Sequence, residues 1–342
     1  MAHLLEPRLA SYIAGKMPQA SAVAVDSLSR ISGGASRETY RFRLTWTEGG
    51  EARERKLILR RDPPASLIET ERRIEFEAYR AFHGSSVPVP EMLWLEEESD
   101  ALDHPFFIAE EIAGFQAGVA TLWAEPYVST LAALGQRKWT ILGEIARADP
   151  EALGLSGIMP AVEPDQCWNR ELSHWEAVLD DDEVEPLPII RAAIRWLRAN
   201  PPPPPARIAV VHGDYRTGNF LYDDKGGIHG ILDWEMAHLG DPLEDLGWSF
   251  NPVWTFGRGL AGGLLPHAEA IALWEASSGL KADLAALKWW TLFNCVKGQA
   301  IWVSSARAWI DGANREPIMV YPAWALINAQ DQATLAVMGK LS

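Results

Sequence analysis

The sequence predicts an α+β fold in two lobes, a sheet-rich N-terminal lobe over residues 1–112 and a mainly helical C-terminal lobe over residues 113–342. Three observations predict it. Apolar residues alternate with polar ones in the first lobe, and after Gly114 the apolar spacing turns helical and tryptophan-rich. Between the helices of the second lobe lies a strand, loop and hairpin carrying His212 to Asp233.

The chain begins with Leu4, Leu5, Leu9, Tyr12 and Ile13 at helical spacing, which predicts a packed amphipathic helix. An apolar run at 23–31 precedes the turn at 32–36, and Tyr40, Phe42, Leu44 and Trp46 then alternate with Arg41, Arg43 and Thr45 as in a half-buried strand. Residues 56–60 read as its partner. A helix is expected over residues 68–82, with Ile74, Ala78, Ala81 and Phe82 on one stripe. Val87-Pro88-Val89-Pro90 is extended, and strands at 93–95 and 106–112 flank an acidic turn at 96–103. The second lobe predicts helices at 128–148, 166–179, 186–199, 266–278, 283–310 and 322–338, with the pentaproline 201–205 as a stiff connector.

Composition bounds the partners. The 342 residues, 48% hydrophobic and 23% charged, suit a soluble enzyme with a real core. Against 31 basic residues stand 46 acidic ones, a formal charge of −15, which argues against a nucleic-acid footprint or an anionic membrane and favours a cationic or neutral small substrate. Cys167 and Cys295 lie far apart without CxxC spacing, so neither a disulfide framework nor zinc is implied and a cytoplasmic setting is expected. No apolar run approaches the roughly 20 residues of a membrane span.

The chemistry concentrates in one segment. A buried strand at 208–211 leads into His212-Gly213-Asp214 and on to Asn219, and strands at 220–222 and 228–232 flank the turn Asp223-Asp224-Lys225-Gly226-Gly227. Asn219 and Asp233 are each seven positions from Gly226, so a regular hairpin sets them opposite one another at its open end, with Asp214 in the same mouth. An amide oxygen and a carboxylate there suit one hard, oxygen-preferring cation such as Mg²⁺.

The string His212-Gly-Asp-x4-Asn219, Ile231-Leu-Asp-Trp-Glu235 and Gly240-Asp-Pro-x2-Asp245-Leu resembles the aminoglycoside phosphotransferase and choline kinase superfamily, small-molecule kinases with a protein-kinase-like bilobal fold. The resemblance extends over most of the chain, with likeness also to the phosphotransferase domains fused to acyl-CoA dehydrogenases. It implies ATP, or GTP, and Mg²⁺ as cofactors, Asp214 as the base that takes the hydroxyl proton, and Asn219 and Asp233 as metal ligands. It also implies a nucleotide loop containing Ser32, Gly33, Gly34 and Ser36. Arg60 stands where a lysine usually grips the phosphates, with Glu75 as its ion-pair partner. The linker implied to pair with adenine holds Glu110 and Ile112.

His212 and Asp245 are expected to shape and brace the loop, and the tryptophans to fill core. Glu235 reaches either a second cation or solvent, and Asp180-Asp181-Asp182-Glu183 reads as a solvated turn. The acceptor is expected to be a small molecule with a hydroxyl; antibiotic, choline-like amine, sugar and hydroxyacyl thioester stay open. Two other readings compete. One is a pseudokinase acting as an interaction module, to which Arg60 lends some support; the other is a metal-dependent hydrolase, which lacks the histidines it needs.

Overall fold

A computed structural model of the protein describes residues 2–31, 38–62, 72–98 and 100–341. The expected nucleotide loop, with Ser32, Gly33, Gly34 and Ser36, lies outside the described residues, as does the start of the helix expected from residue 68.

Helix α1 (Ala2–Lys16) precedes β1 (Ser21–Ile31), β2 (Glu38–Glu48), β3 (Glu51–Arg61), α2 (Arg72–Phe82), β4 (Met92–Glu96) and β5 (Phe106–Glu110). The strands form one antiparallel sheet in the order β1-β2-β3-β5-β4, so the last strand made enters between β3 and β4. Its period-two side chains divide two cores. Phe106 and Ile108 join Leu5, Leu9 and Ile13 of α1 together with Phe42, Leu57 and Leu59. Phe107 and Ala109 join Ile74, Phe76 and Tyr79 of α2 and belong to the cluster that continues into the second lobe. Full burial of a leucine such as Leu57 or Leu59 stabilises the sheet by about 2 kcal/mol each before entropy is counted.

The second lobe contains α3 (Val119–Leu122), α4 (Leu131–Arg147), α5 (Cys167–Asp182), α6 (Pro188–Ala199), β6 (Ala209–Val211), β7 (Phe220–Tyr222), β8 (Ile228–Ile231), β9 (His238–Gly240), α7 (Leu243–Ser249), α8 (His267–Ser278), α9 (Leu284–Ile310), α10 (Pro317–Tyr321) and α11 (Ile327–Val337). Helix α9 is capped by Asp283, whose carboxylate accepts the N–H groups of Ala285 and Ala286, and from Trp289 to Ala306 it is buried on every side because it runs through the core. Residues 201–205 form no regular structure and deliver the chain to β6, as a connector should.

Two expectations need correction, and one strand was missed. The helix expected at 322–338 begins earlier, at Pro317, and passes through a π turn at Pro322–Leu326, because Pro322 has no N–H for the regular helical bond. The acidic run at 180–183 ends α5 and is bound: Asp180 and Glu183 pair with Arg191, and Asp182 accepts from Ser304. Strand β9, paired with β6, was not foreseen, since three residues are too few to show a period.

Candidate active site

Buried β6 ends at Val211, His212 follows, and the chain turns at Gly213, whose φ is +85°. A side chain there would be strained, and it would run into the carbonyl of Met236, so glycine is the residue that fits. His212 is buried with Nε2 3.0 Å from the Leu232 carbonyl, while its Nδ1 accepts the Asp214 N–H at 3.1 Å. Burial pushes its pKa down to about 3, so the ring is neutral and structural, as the sequence reading holds. Asp245 also acts as expected, its two oxygens accepting the N–H groups of His212 at 2.6 Å and Gly213 at 2.9 Å.

This scaffold brings Asp214, Asn219 and Asp233 together. Asn219 donates its amide to the Asp214 Oδ2 at 2.6 Å and to the Asp214 carbonyl at 2.9 Å, leaving its own amide oxygen for another partner. Burial raises the pKa of Asp214 and Asp233 adds to the rise, opposed by Arg216, Trp248 and Asn219. The hairpin differs from the regular form in one respect. Leu221 pairs with Gly230 and Tyr222 with Ile228, so His229 bulges and the Leu232 N–H, not that of Asp233, bonds to the Asn219 carbonyl. Asp233 follows one residue beyond, at φ 69° and ψ 55°, a left-handed conformation that is uncommon for a non-glycine residue and here sits at the site. Its N–H donates to the Tyr79 hydroxyl of α2 at 2.7 Å.

Arg60 of β3 crosses between the lobes. It donates to Glu75 Oε1 at 2.6 Å and to Asp233 Oδ1 at 3.0 Å, and lies 3.7 Å from Glu235 Oε2. The Glu75 pair is the expected one; the link to Asp233 is not evident from sequence. Glu235 is buried beside Arg60 and therefore does not reach into solvent. Burial alone drives the pKa of Asp233 up, but Arg60 and Arg216 outweigh it and hold the carboxylate ionised. Glu110 closes β5 opposite Leu57 and donates its N–H to the Glu91 carbonyl, and Ile112 follows in the connection to the second lobe, its N–H making no backbone hydrogen bond among the described residues.

Several residues at the site carry no sequence motif. Arg216 places Nε 3.3 Å from Asp214 Oδ1, with its guanidinium 5.1 Å from the Trp254 ring centre. Its position two residues after Asp214 was the available signal. Trp248 Nε1 donates to Asp214 Oδ1 at 2.7 Å. Lys297 of α9 donates to the Gly213 carbonyl at 2.7 Å and to Glu244 Oε1 at 3.0 Å.

Behind the loop, Glu171, His238 and Glu244 bring ligand atoms within 4.8 Å of one another, a grouping with metal-like composition. Their charge is already met by protein: Arg170 donates to Glu171, and Lys297 to Glu244. His238 bonds to Glu244 Oε2 at 3.1 Å and to the Met236 carbonyl at 3.0 Å, two acceptors that suit an imidazolium. Burial lowers its pKa, but Glu171 and Glu244 outweigh this and raise it to about 9. A pKa raised above the unfolded value of 6.5 contributes stability that is full below pH 6.5 and disappears as pH rises through about 9. The urea midpoint should therefore fall between pH 7 and pH 9.5, and His238→Gln should flatten that fall. An equal fall in the variant would assign it to other groups.

An arginine joined to a helix glutamate, a loop aspartate and asparagine, and a second aspartate after a hairpin define a phosphotransferase of protein-kinase-like architecture. Residues 27–302 match the phosphotransferase enzyme family, and the chain belongs to it. Acyl-CoA dehydrogenase family member 10 of Mus musculus is 28% identical over 230 residues, covering 65% of this chain and 20% of that protein, so the chain spans about a fifth of the length of this relative. A Ralstonia eutropha protein described as an aminoglycoside phosphotransferase superposes with a TM-score of 0.70 at 19% identity, covering 96% of this chain and 98% of the other. A thermostable mutant of aminoglycoside phosphotransferase APH(4)-Ia, solved with ADP and hygromycin B, gives 0.61 at 18% identity, with 98% and 99% covered. The bilobal fold and the family resemblance expected from the sequence are both borne out. Among the described residues no helix is long and apolar enough to cross a membrane.

Proposed function

We propose that this protein transfers the γ-phosphoryl group of ATP, or of GTP, to a hydroxyl of a small molecule, with lobes at 1–112 and 113–342 meeting around the site. The observation that carries the reading is the Arg60 bridge: one guanidinium joins Glu75 of the first lobe to Asp233 of the second, beside the Asp214–Asn219 pair. Asp214, a partly buried carboxylate held at both oxygens, accepts the acceptor's hydroxyl proton. The free amide oxygen of Asn219 and the carboxylate of Asp233 form a hard-oxygen donor set that fits Mg²⁺, and Glu235 stands behind them. Mg²⁺, when bound with the nucleotide, supplies charge neutralisation along the phosphates.

On this reading the first lobe binds the nucleotide. Ser32, Gly33, Gly34 and Ser36 belong to the phosphate loop, Arg60 contacts the phosphates, and Glu110 and Ile112 offer backbone groups to the base. The N–H of Ile112, without a backbone partner among the described residues, supports the last assignment. Arg216, partly exposed between Asp214 and Trp254, is placed to meet the group in transfer. The acceptor is a small molecule because the chain passes from Asp233 through β9 directly into α7, with no long activation segment. Incubation with γ-labelled ATP, Mg²⁺ and a panel of hydroxylated metabolites tests the function. Labelling of a folded protein alone, with no small-molecule product, would contradict it.

A second reading, a nucleotide-binding pseudokinase, takes its support from Arg60 resting on Asp233, where it fills the place of a cation. Arg60→Ala separates the two. If Arg60 contacts the phosphates, the variant should bind Mg·ATP about tenfold or more weakly by calorimetry, and Arg60→Lys should recover part of the loss. Unchanged affinity would remove Arg60 from the phosphate site.

A further inference from the structure

We infer that Trp248 is a positioning residue for phosphoryl transfer, its indole N–H holding the Asp214 carboxylate in the plane from which it meets the acceptor hydroxyl. The inference rests on Asp214 being the base. Each Asp214 oxygen receives one strong donor, Asn219 Nδ2 on Oδ2 at 2.6 Å and Trp248 Nε1 on Oδ1 at 2.7 Å. A carboxylate anchored at one oxygen still swings about its Cβ–Cγ bond. Anchored at both, it has a fixed plane, and each oxygen keeps a lone pair for a further partner.

Trp248 is itself well held. It is 1% exposed, its ring meets Trp254 edge-on at 5.4 Å, and the Lys297 ammonium lies 5.4 Å from its ring centre. It also lies three residues after Asp245 on α7, one helical turn along, so a single short helix grips the loop twice. Asp245 takes the N–H groups of His212 and Gly213, and Trp248 takes the side chain of the next residue. Helix α7 is in turn pinned to α9, where Asn294 donates to the Glu244 carbonyl and Lys297 to the Glu244 carboxylate.

The neighbouring cation makes this donor matter. Arg216 Nε already lies 3.3 Å from Oδ1, the same oxygen that Trp248 holds. Without the indole N–H, that oxygen is free to turn fully onto the guanidinium, which rotates the carboxylate away from its present plane. The loss would appear in turnover, not in nucleotide affinity, because Trp248 touches none of the groups assigned to the nucleotide.

Two replacements separate donor from ring. Trp248→Phe removes both the N–H and part of the volume, whereas 3-benzothienylalanine at position 248 keeps the bicyclic shape and lacks only the N–H. Transfer from γ-labelled ATP to glycerol, choline, 3-hydroxybutyrate, hygromycin B and water would be measured beside Mg·ATP affinity by calorimetry. The expected result for the benzothienyl protein is a fall in kcat of about tenfold or more, with KM for ATP, Mg·ATP affinity and melting temperature unchanged. Wild-type turnover in that protein would overturn the inference and leave Trp248 as packing alone. The contact has its own readout in the ¹⁵N spectrum of the indoles: the resonance lost in Trp248→Phe should shift in Asp214→Asn. If wild-type protein transfers phosphate to none of the probes, the proposed function fails, and this spectrum alone decides whether Trp248 holds Asp214; an unmoved resonance refutes it.

Discussion

Asp214→Asn is expected to leave Mg·ATP affinity nearly intact while turnover drops on the order of 10²-fold or more. The amide keeps the carboxylate's shape but cannot accept a proton with useful strength. It also meets donors at both positions, Asn219 Nδ2 on one side and Trp248 Nε1 on the other, so its own NH₂ must face one of them. A single-turnover experiment isolates the chemical step from product release. Full turnover in this variant would remove Asp214 from the role of base.

Asp233→Asn should fail differently, because it weakens the binding of the metal itself. Its carboxylate is held ionised by Arg60 and Arg216 despite burial, and the amide carries no charge to offer a divalent cation. The variant is expected to need about tenfold or more additional Mg²⁺ for whatever activity survives, with Asn219→Ala showing a milder form of the same demand. A Mg²⁺ titration of ATP affinity by calorimetry measures this without relying on activity. The assignment of base and ligand collapses if Asp214→Asn shifts the Mg²⁺ dependence as far as Asp233→Asn does.

The two results also divide the Arg60 bridge into parts. In Asp233→Asn the guanidinium keeps Glu75 but loses the nearer of its two charged partners in the second lobe, with Glu235 remaining at 3.7 Å, so the link between lobes weakens as the metal site does. Arg60→Ala breaks both links and spares the metal donors. Comparison of the two variants therefore distinguishes a phosphate contact from a lobe-to-lobe tie.

Much of the site was legible because its chemistry is local in the chain. Asp214 and Asn219 are five residues apart in one loop, and their hydrogen bond follows from that spacing. The hairpin turn was marked by Asp223, whose Oδ1 accepts the N–H groups of Lys225 and Gly227, and by Gly226 at φ +83°. The bulge at His229 was not legible. A one-residue irregularity leaves the apolar pattern of β8 almost unchanged, yet it decides that Asn219 faces Leu232 and that Asp233 stands one step beyond.

The sequence by itself determined the two-lobed plan, the loop from His212 to Asn219 and the hairpin that delivers Asp233, because each follows from periodicity or short spacing; the Arg60–Glu75 pair was implied by the family resemblance. The tertiary structure alone decided that Arg60 would reach Asp233, 173 positions away, and that Lys297, 84 positions on, would hold the Gly213 carbonyl. It also decided that a tryptophan of α7, 34 positions on, would bind Asp214. The physical reason is the same in each case. A buried polar group must find a partner, and which group lies within 3 Å is set by how α7, α9 and β3 pack around the loop, a geometry that no local pattern in the chain encodes.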